Sequence, residues 1–242
     1  MSESPGLLEA LEVETAPGPE ACVIWLHGLG ADGYDFEPIV PALGVPEAPG
    51  VRFVFPHAPR QPVTINGGMV MRAWYDVYAL EGERREDAAG VRASQARLEA
   101  LIAREKARGI RAARILLAGF SQGGAIALQT GLRHPERLAG VMALSTFLPL
   151  AATLAAEASA ANRDVPIFLA HGTHDPLIPL ARAGRSRDLL QEQGYRVDWH
   201  EYPIPHAVCD AEVRDIGAWL RRVLGEQSAT AIRRHGEPRC GS

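Results

Sequence analysis

Residues 115–128 read ILLAGFSQGGAIAL and place one serine, Ser121, between Gly119 and Gly123. A serine hydroxyl becomes a nucleophile when a neighbouring base takes its proton, and it must be exposed to reach a substrate. The β-branched and leucine run Ile115–Ala118 reads as a buried strand, and Ala125–Gln129 has the composition of a packed helix. Ser121 therefore falls at a strand-to-helix turn. Glycines on either side admit backbone angles and close approaches that a β-carbon forbids, so the hydroxyl can sit on a sharp, strained corner. A glycine-rich loop that happens to contain serine is the plainer alternative, and the partners decide.

A serine on such a corner is followed in the chain by its acid and then its histidine, both beyond the carboxyl ends of strands. Among the later histidines, His134 lies too close, at the end of the serine's own helix. His171 ends a strand and reads as a turn or packing residue, and His174 adjoins the best acid. His200 shares an outward, solvated strand face with Arg196 and Asp198, and His235 lies near the end of the chain. His206 remains, in the loop PIPHAV between a strand and the last helix. Asp164 precedes a strand, Asp188 sits inside a helix and Asp198 points outward. Asp175, in HGTHDPLIP, directly follows a strand, and a turn-forming Asp-Pro is its bland reading. Ser121, Asp175 and His206 are the expected triad. The backbone N–H of Gln122 and one from HGLGADG, residues 27–33, would receive a developing oxyanion.

The elements that must hold these residues alternate along the chain, which predicts an α/β fold with a mainly parallel central sheet and helices on both faces. Strands are expected over Ala21–Leu26, Val51–Phe55, the elbow strand, Leu138–Leu144, Pro166–Ala170 and Tyr195–Tyr202. The last alternates with period two, as near a sheet edge. Helices are expected over about 87–108, from the elbow to about Arg133, over Leu180–Gln193 and over Asp210–Leu224. Residues 1–226 read as one domain and 227–242 as a flexible tail. The alanine-rich stretch 147–163 is a short surface helix or a connector. The long segment from His57 to Asp76 is of functional length.

The 242 residues are 47% hydrophobic and 22% charged, with a net charge of −4. That composition suits a globular protein and gives no electrostatic case for nucleic acid or an anionic membrane. The mixed-sign ERRED at 83–87 reads as a solvated turn. No secretory signal or membrane span is expected. Three scattered cysteines, Cys22, Cys209 and Cys240, do not make a disulfide framework or a zinc site, which fits a reducing cytoplasm.

With these pieces in place, the chain resembles the acyl-protein thioesterase and bacterial carboxylesterase (phospholipase/carboxylesterase) family of α/β hydrolases. The matching segments are LHGLGADG, FPHAP, INGGMVMRAWYD, GFSQGG, HGTHDPLIP and PHAVC, in the family's order. The resemblance implies the α/β-hydrolase fold without a large lid domain, no cofactor and no metal, and the triad Ser121, Asp175 and His206. It implies Leu29 and Gln122 as the N–H donors, and Met69, Met71 and Trp74 as walls of the acyl pocket. From the residues alone, 65–76 is only an apolar, glycine-hinged segment, and Trp74 and Tyr75 could equally pack it onto the sheet. The substrate implied is a small-molecule ester or thioester, and homodimers are common in the family. A serine carboxylesterase for short- to medium-chain acyl groups is the leading expectation. An acyl-protein thioesterase or lysophospholipase is the alternative, and a non-catalytic hydrolase-fold binding protein the remote one.

Overall fold

The computed structural model describes residues 6–45, 50–78 and 86–233, with side chains described as far as 225. Seven strands form one sheet in the order β1-β3-β2-β6-β7-β8-β9: β1 (Ala10–Glu14), β2 (Ala21–Leu26), β3 (Val51–Pro56), β6 (Ile115–Phe120), β7 (Gly140–Leu144), β8 (Ile167–Gly172) and β9 (Val197–Tyr202). Only β1 runs antiparallel to its neighbour. β4 (Arg60–Val63) and β5 (Met69–Arg72) form a separate antiparallel hairpin within the long segment after β3.

The alternation of β2 shows how the layers are built. Cys22, Ile24 and Leu26 face a core shared with α1 (Ala88–Ala107) and α2 (Gln122–Gly131), through Leu98, Leu101, Ile126 and Leu128. Ala21, Val23 and Trp25 face the opposite core, where Ile216, Trp219 and Leu220 of α5 (Asp210–Arg233) pack. A central strand buried on both faces reads as a continuous apolar run, which is why ACVIWL shows no polar alternation. α3 (Leu154–Glu157) is one short turn within the alanine-rich stretch, and α4 (Leu180–Glu192) connects β8 to β9. Among the described residues, no helix is long and apolar enough to cross a membrane.

Two expectations change. α5 continues to Arg233 instead of ending near Leu224. Gly225 alone does not stop it, because Glu, Gln and Ala follow and each favours helix. Residues 227–233 are thus helical backbone rather than patternless tail; 234–242, with His235 and Cys240, lie outside the described residues, as do residues 83–85 of ERRED. His200 is half-buried, not solvated: its ring stacks on Phe168 with centroids 4.6 Å apart.

Beneath the amino-terminal ends of the strands lies a charged cluster. Glu105 on α1 is fully buried and bonds Arg52 of β3 at 2.8 Å, while Arg104 and Arg108 reach its other oxygen at 2.9 and 3.0 Å. Removing one partner of a buried pair leaves the other charge uncompensated. Glu105→Ala is therefore expected to destabilise the fold by about 3 kcal/mol in urea unfolding, without changing kcat per folded molecule. Unaltered stability would show that Glu14, 2.9 Å from Arg52, and Glu12, 2.8 and 2.9 Å from Arg104 and Arg108, compensate for the lost carboxylate.

Candidate active site

Ser121 ends β6 and begins α2 with φ 53° and ψ −120°, a left-handed backbone setting that non-glycine residues rarely adopt. Such strain costs on the order of 1–3 kcal/mol and persists only where the surroundings hold it. Two bonds do so here: the Ser121 N–H donates to the Leu144 carbonyl at 2.8 Å, and the Thr146 hydroxyl donates to the Ser121 carbonyl at 2.7 Å. The flanking glycines are required by close packing. A β-carbon at Gly119 would lie 2.3 Å from the Gly123 backbone, and one at Gly123 would lie 2.3 Å from the Leu26 carbonyl oxygen. The strand and helix approach so closely that the serine is left half-exposed at the corner.

Asp175 follows β8, and its side chain is fully buried. Its Oδ1 accepts the N–H groups of Leu177 and Ile178 at 2.8 and 2.9 Å. Its Oδ2 lies 2.6 Å from Nδ1 of His206. A carboxylate fixed in this way selects the imidazole tautomer protonated on Nδ1, leaving Nε2 free to accept a proton. The His206 ring packs on Phe120, the residue before Ser121, with centroids 4.8 Å apart. His171, expected as a packing residue, also serves the acid: its Nε2–H donates to the Ile178 carbonyl at 2.7 Å and lies 3.4 Å from Asp175 Oδ2.

The loop after β2 meets the elbow from the other side. Buried His27 donates from Nδ1 to the Gly28 carbonyl at 2.6 Å and accepts the Ala58 N–H on Nε2 at 3.0 Å. Gly33 donates to Nδ1 of His57 at 3.0 Å, and Gly30 donates to the Arg72 carbonyl at 2.9 Å. Neither the Leu29 nor the Gln122 N–H has a partner among the described residues.

Burial pushes the His27 imidazole from 6.5 down to about 4, so it stays neutral in the folded protein. Unfolded, it takes up a proton near pH 6.5; folded, only near 4. The stability it contributes is complete above pH 6.5 and is lost as pH falls through that window, by about 3 kcal/mol. The stability difference between wild type and His27→Asn should accordingly shrink from pH 7 to pH 4. Parallel unfolding curves across that range would contradict it.

Ser121, His206, Leu29 and Gln122 all line one cavity of about 550 Å³. Ile65, Tyr75, Phe147, Pro149, Leu177 and Ile178 give it an apolar wall. Met69, Met71 and Trp74 are not among its lining residues. Met69 is exposed at the hairpin, and Met71 accepts a bond from Asn66 on its sulfur. Trp74 is turned inward: its indole N–H donates to the His27 carbonyl at 2.8 Å. Of the 65–76 segment, Ile65, Asn66, Tyr75 and Asp76 reach the cavity. Among the described residues, no cluster of three or more His, Cys, Asp or Glu side chains is arranged to hold a metal ion.

Residues 9–224 match the sequence profile of the phospholipase/carboxylesterase family. The chain belongs to this family. An acyl-protein thioesterase 1 from Mycosarcoma maydis is 38% identical over 238 residues, covering 91% of this chain and 99% of that protein. One from Neurospora crassa is 41% identical over 213 residues, covering 84% and 87%. Among solved structures, Arabidopsis thaliana SOBER1 superposes with a TM-score of 0.80 at 30% identity, over 84% of this chain and 99% of that one. Zea mays acyl-protein thioesterase 2 superposes with a TM-score of 0.79 at 29% identity, over 90% and 100%. As a member, the chain is a serine hydrolase acting on esters or thioesters, which sets aside the non-catalytic binding protein.

Cavity residues from distant segments, such as Val91 on α1 and Arg182 on α4, carried no sequence signal. Arg182 stacks over the Phe147 ring, 3.2 Å from its centroid. A guanidinium on a helix usually reads as a solvated charge, and only the fold brings it to Phe147.

Proposed function

We propose that the chain hydrolyses acyl thioesters, and esters with the same acyl group, through an acyl-enzyme on Ser121. The single observation behind this reading is that the Asp175–His206 pair and the strained Ser121 meet at one apolar cavity. His206 Nε2 takes the Ser121 proton as Oγ attacks the acyl carbon. Asp175 holds the tautomer and stabilises the imidazolium. The Leu29 and Gln122 N–H groups receive the oxyanion, each such donor being worth about 3 kcal/mol. When the intermediate collapses, the carbon–sulfur or carbon–oxygen bond breaks and His206 protonates the departing thiol or alcohol. Water, deprotonated by His206, then cleaves the acyl-serine and restores the free enzyme.

The cavity lies inside the range of about 300–1,000 Å³ usual for small-molecule sites, and its apolar wall favours an alkyl chain over a polar acid. The thioesterase names of relatives covering most of the chain favour a thioester leaving group over the short-chain ester expectation. The scattered cysteines favour a reducing, cytoplasmic setting for such a substrate.

The test compares kcat/KM on matched oxygen esters and thioesters of two, four, eight and twelve acyl carbons, together with an S-acylated peptide. The expected result is a maximum at eight carbons or more, with thioesters preferred. A maximum at two carbons on oxygen esters would return the assignment to a short-chain carboxylesterase while leaving the triad in place.

A further inference from the structure

We propose that Trp74 is a positioning residue that sets the separation of the two N–H groups receiving the oxyanion. The inference rests on the reading of the Leu29 and Gln122 N–H groups as that pair.

The two donors come from separate parts of the chain, the loop after β2 and the first turn of α2, and no hydrogen bond joins Leu29 to Gln122 among the described residues. Trp74 joins them indirectly. Its indole N–H donates to the carbonyl of His27, two residues before Leu29, at 2.8 Å. Its own backbone N–H donates to Gln122 Oε1 at 3.0 Å, while Gln122 Nε2–H donates to the Tyr75 carbonyl at 2.7 Å. The Gln122 amide therefore binds the 74–75 backbone at two points, and Trp74 passes that constraint across to the loop after β2. The Ser94 hydroxyl donates to the Trp74 carbonyl, which anchors the same residue to α1. Gly30 N–H on the Arg72 carbonyl at 2.9 Å fastens the loop beyond Leu29 to the same segment.

Trp74 is buried, as is Gln122, so these bonds face little competition from water. An indole is rigid, and a bidentate amide restricts both distance and angle. Stabilisation of a developing charge depends on donors already fixed at its position, so a small relaxation between the two loops would cost rate more than ground-state binding. Tyr75 lines the cavity directly after Trp74, so this strut also joins the substrate wall to the oxyanion site.

Trp74→Phe keeps most of the packing and removes the indole N–H. The experiment measures kcat and KM per active site, with sites counted by fluorophosphonate labelling, and the affinity of a trifluoromethyl ketone whose adduct carries the oxyanion. The expected result is about a tenfold fall in kcat per titrated site, KM within about twofold, and ketone affinity falling by the same factor as kcat/KM. Gln122→Met, which removes both amide bonds at similar volume, carries the test if Trp74→Phe does not fold. The two changes together should cost less than the product of their separate effects. Unchanged kcat per titrated site, or unchanged ketone affinity, overturns the proposal while leaving Ser121 as nucleophile. Hydrolysis by Ser121→Ala at the wild-type rate would instead overturn the functional reading beneath it.

Discussion

Replacing Ser121 with alanine is expected to lower kcat about a million-fold, the scale seen when the nucleophile of a serine hydrolase is removed. The other hydroxyls near the elbow already have structural tasks or are enclosed. Thr146 donates its hydroxyl to the Ser121 carbonyl, and Ser145 is buried. Neither stands at the corner between β6 and α2, so neither replaces the lost oxygen. Alanine at φ 53° retains the strained corner and its two backbone bonds, so the fold should persist. The check is steady-state hydrolysis of an eight-carbon thioester by the purified variant, with its folding confirmed by an unfolding curve matching wild type. A loss smaller than about a hundred-fold would mean that another group forms the acyl-enzyme.

Asp175→Asn is expected to lower kcat by about ten-thousand-fold with little change in KM. The geometry gives the reason. Oδ1 accepts two backbone N–H groups, so an asparagine must keep its carbonyl oxygen there. Its NH₂ then occupies the place of Oδ2 and presents a donor to His206 Nδ1. That forces the neutral imidazole to carry its proton on Nε2, where it can no longer accept one from Ser121. The amide would also meet the His171 N–H with a second donor, where the carboxylate oxygen lies 3.4 Å away. Raising the pH should not restore the rate, because the fault is the tautomer and not the charge state. Full rescue at alkaline pH would contradict this account.

The elbow was legible in the sequence because it is local: strand, glycine, serine, glycine and helix all lie within fourteen residues, and each type has one mechanical reason to be there. Asp175 and His206 were legible by position, since parallel strands gather their carboxyl ends on one edge of the sheet. In the structure their side chains lie 2.6 Å apart, so the two loops converge. β1 was not legible, because ALEVE is short and half-buried and pairs antiparallel at the sheet edge. The hairpin β4–β5 was hidden by exposed Met69 and Val70, which give no buried face to read. The direction of Trp74 depends on bonds to His27 and Gln122, which lie 47 and 48 positions away. Sequence spacing carries no information about such a bond. The same holds for His171, whose support of Asp175 needs the turn through Ile178 to be folded first.

The central claim is that substrate acyl carbon becomes bonded to Ser121 oxygen, and trapping that intermediate tests it most directly. Wild-type protein mixed with excess eight-carbon thioester and acid-quenched within milliseconds should gain the mass of one acyl group on the peptide containing Ser121, in step with a burst of released thiol. No acyl mass on that peptide, or the same mass appearing in Ser121→Ala, would contradict the account.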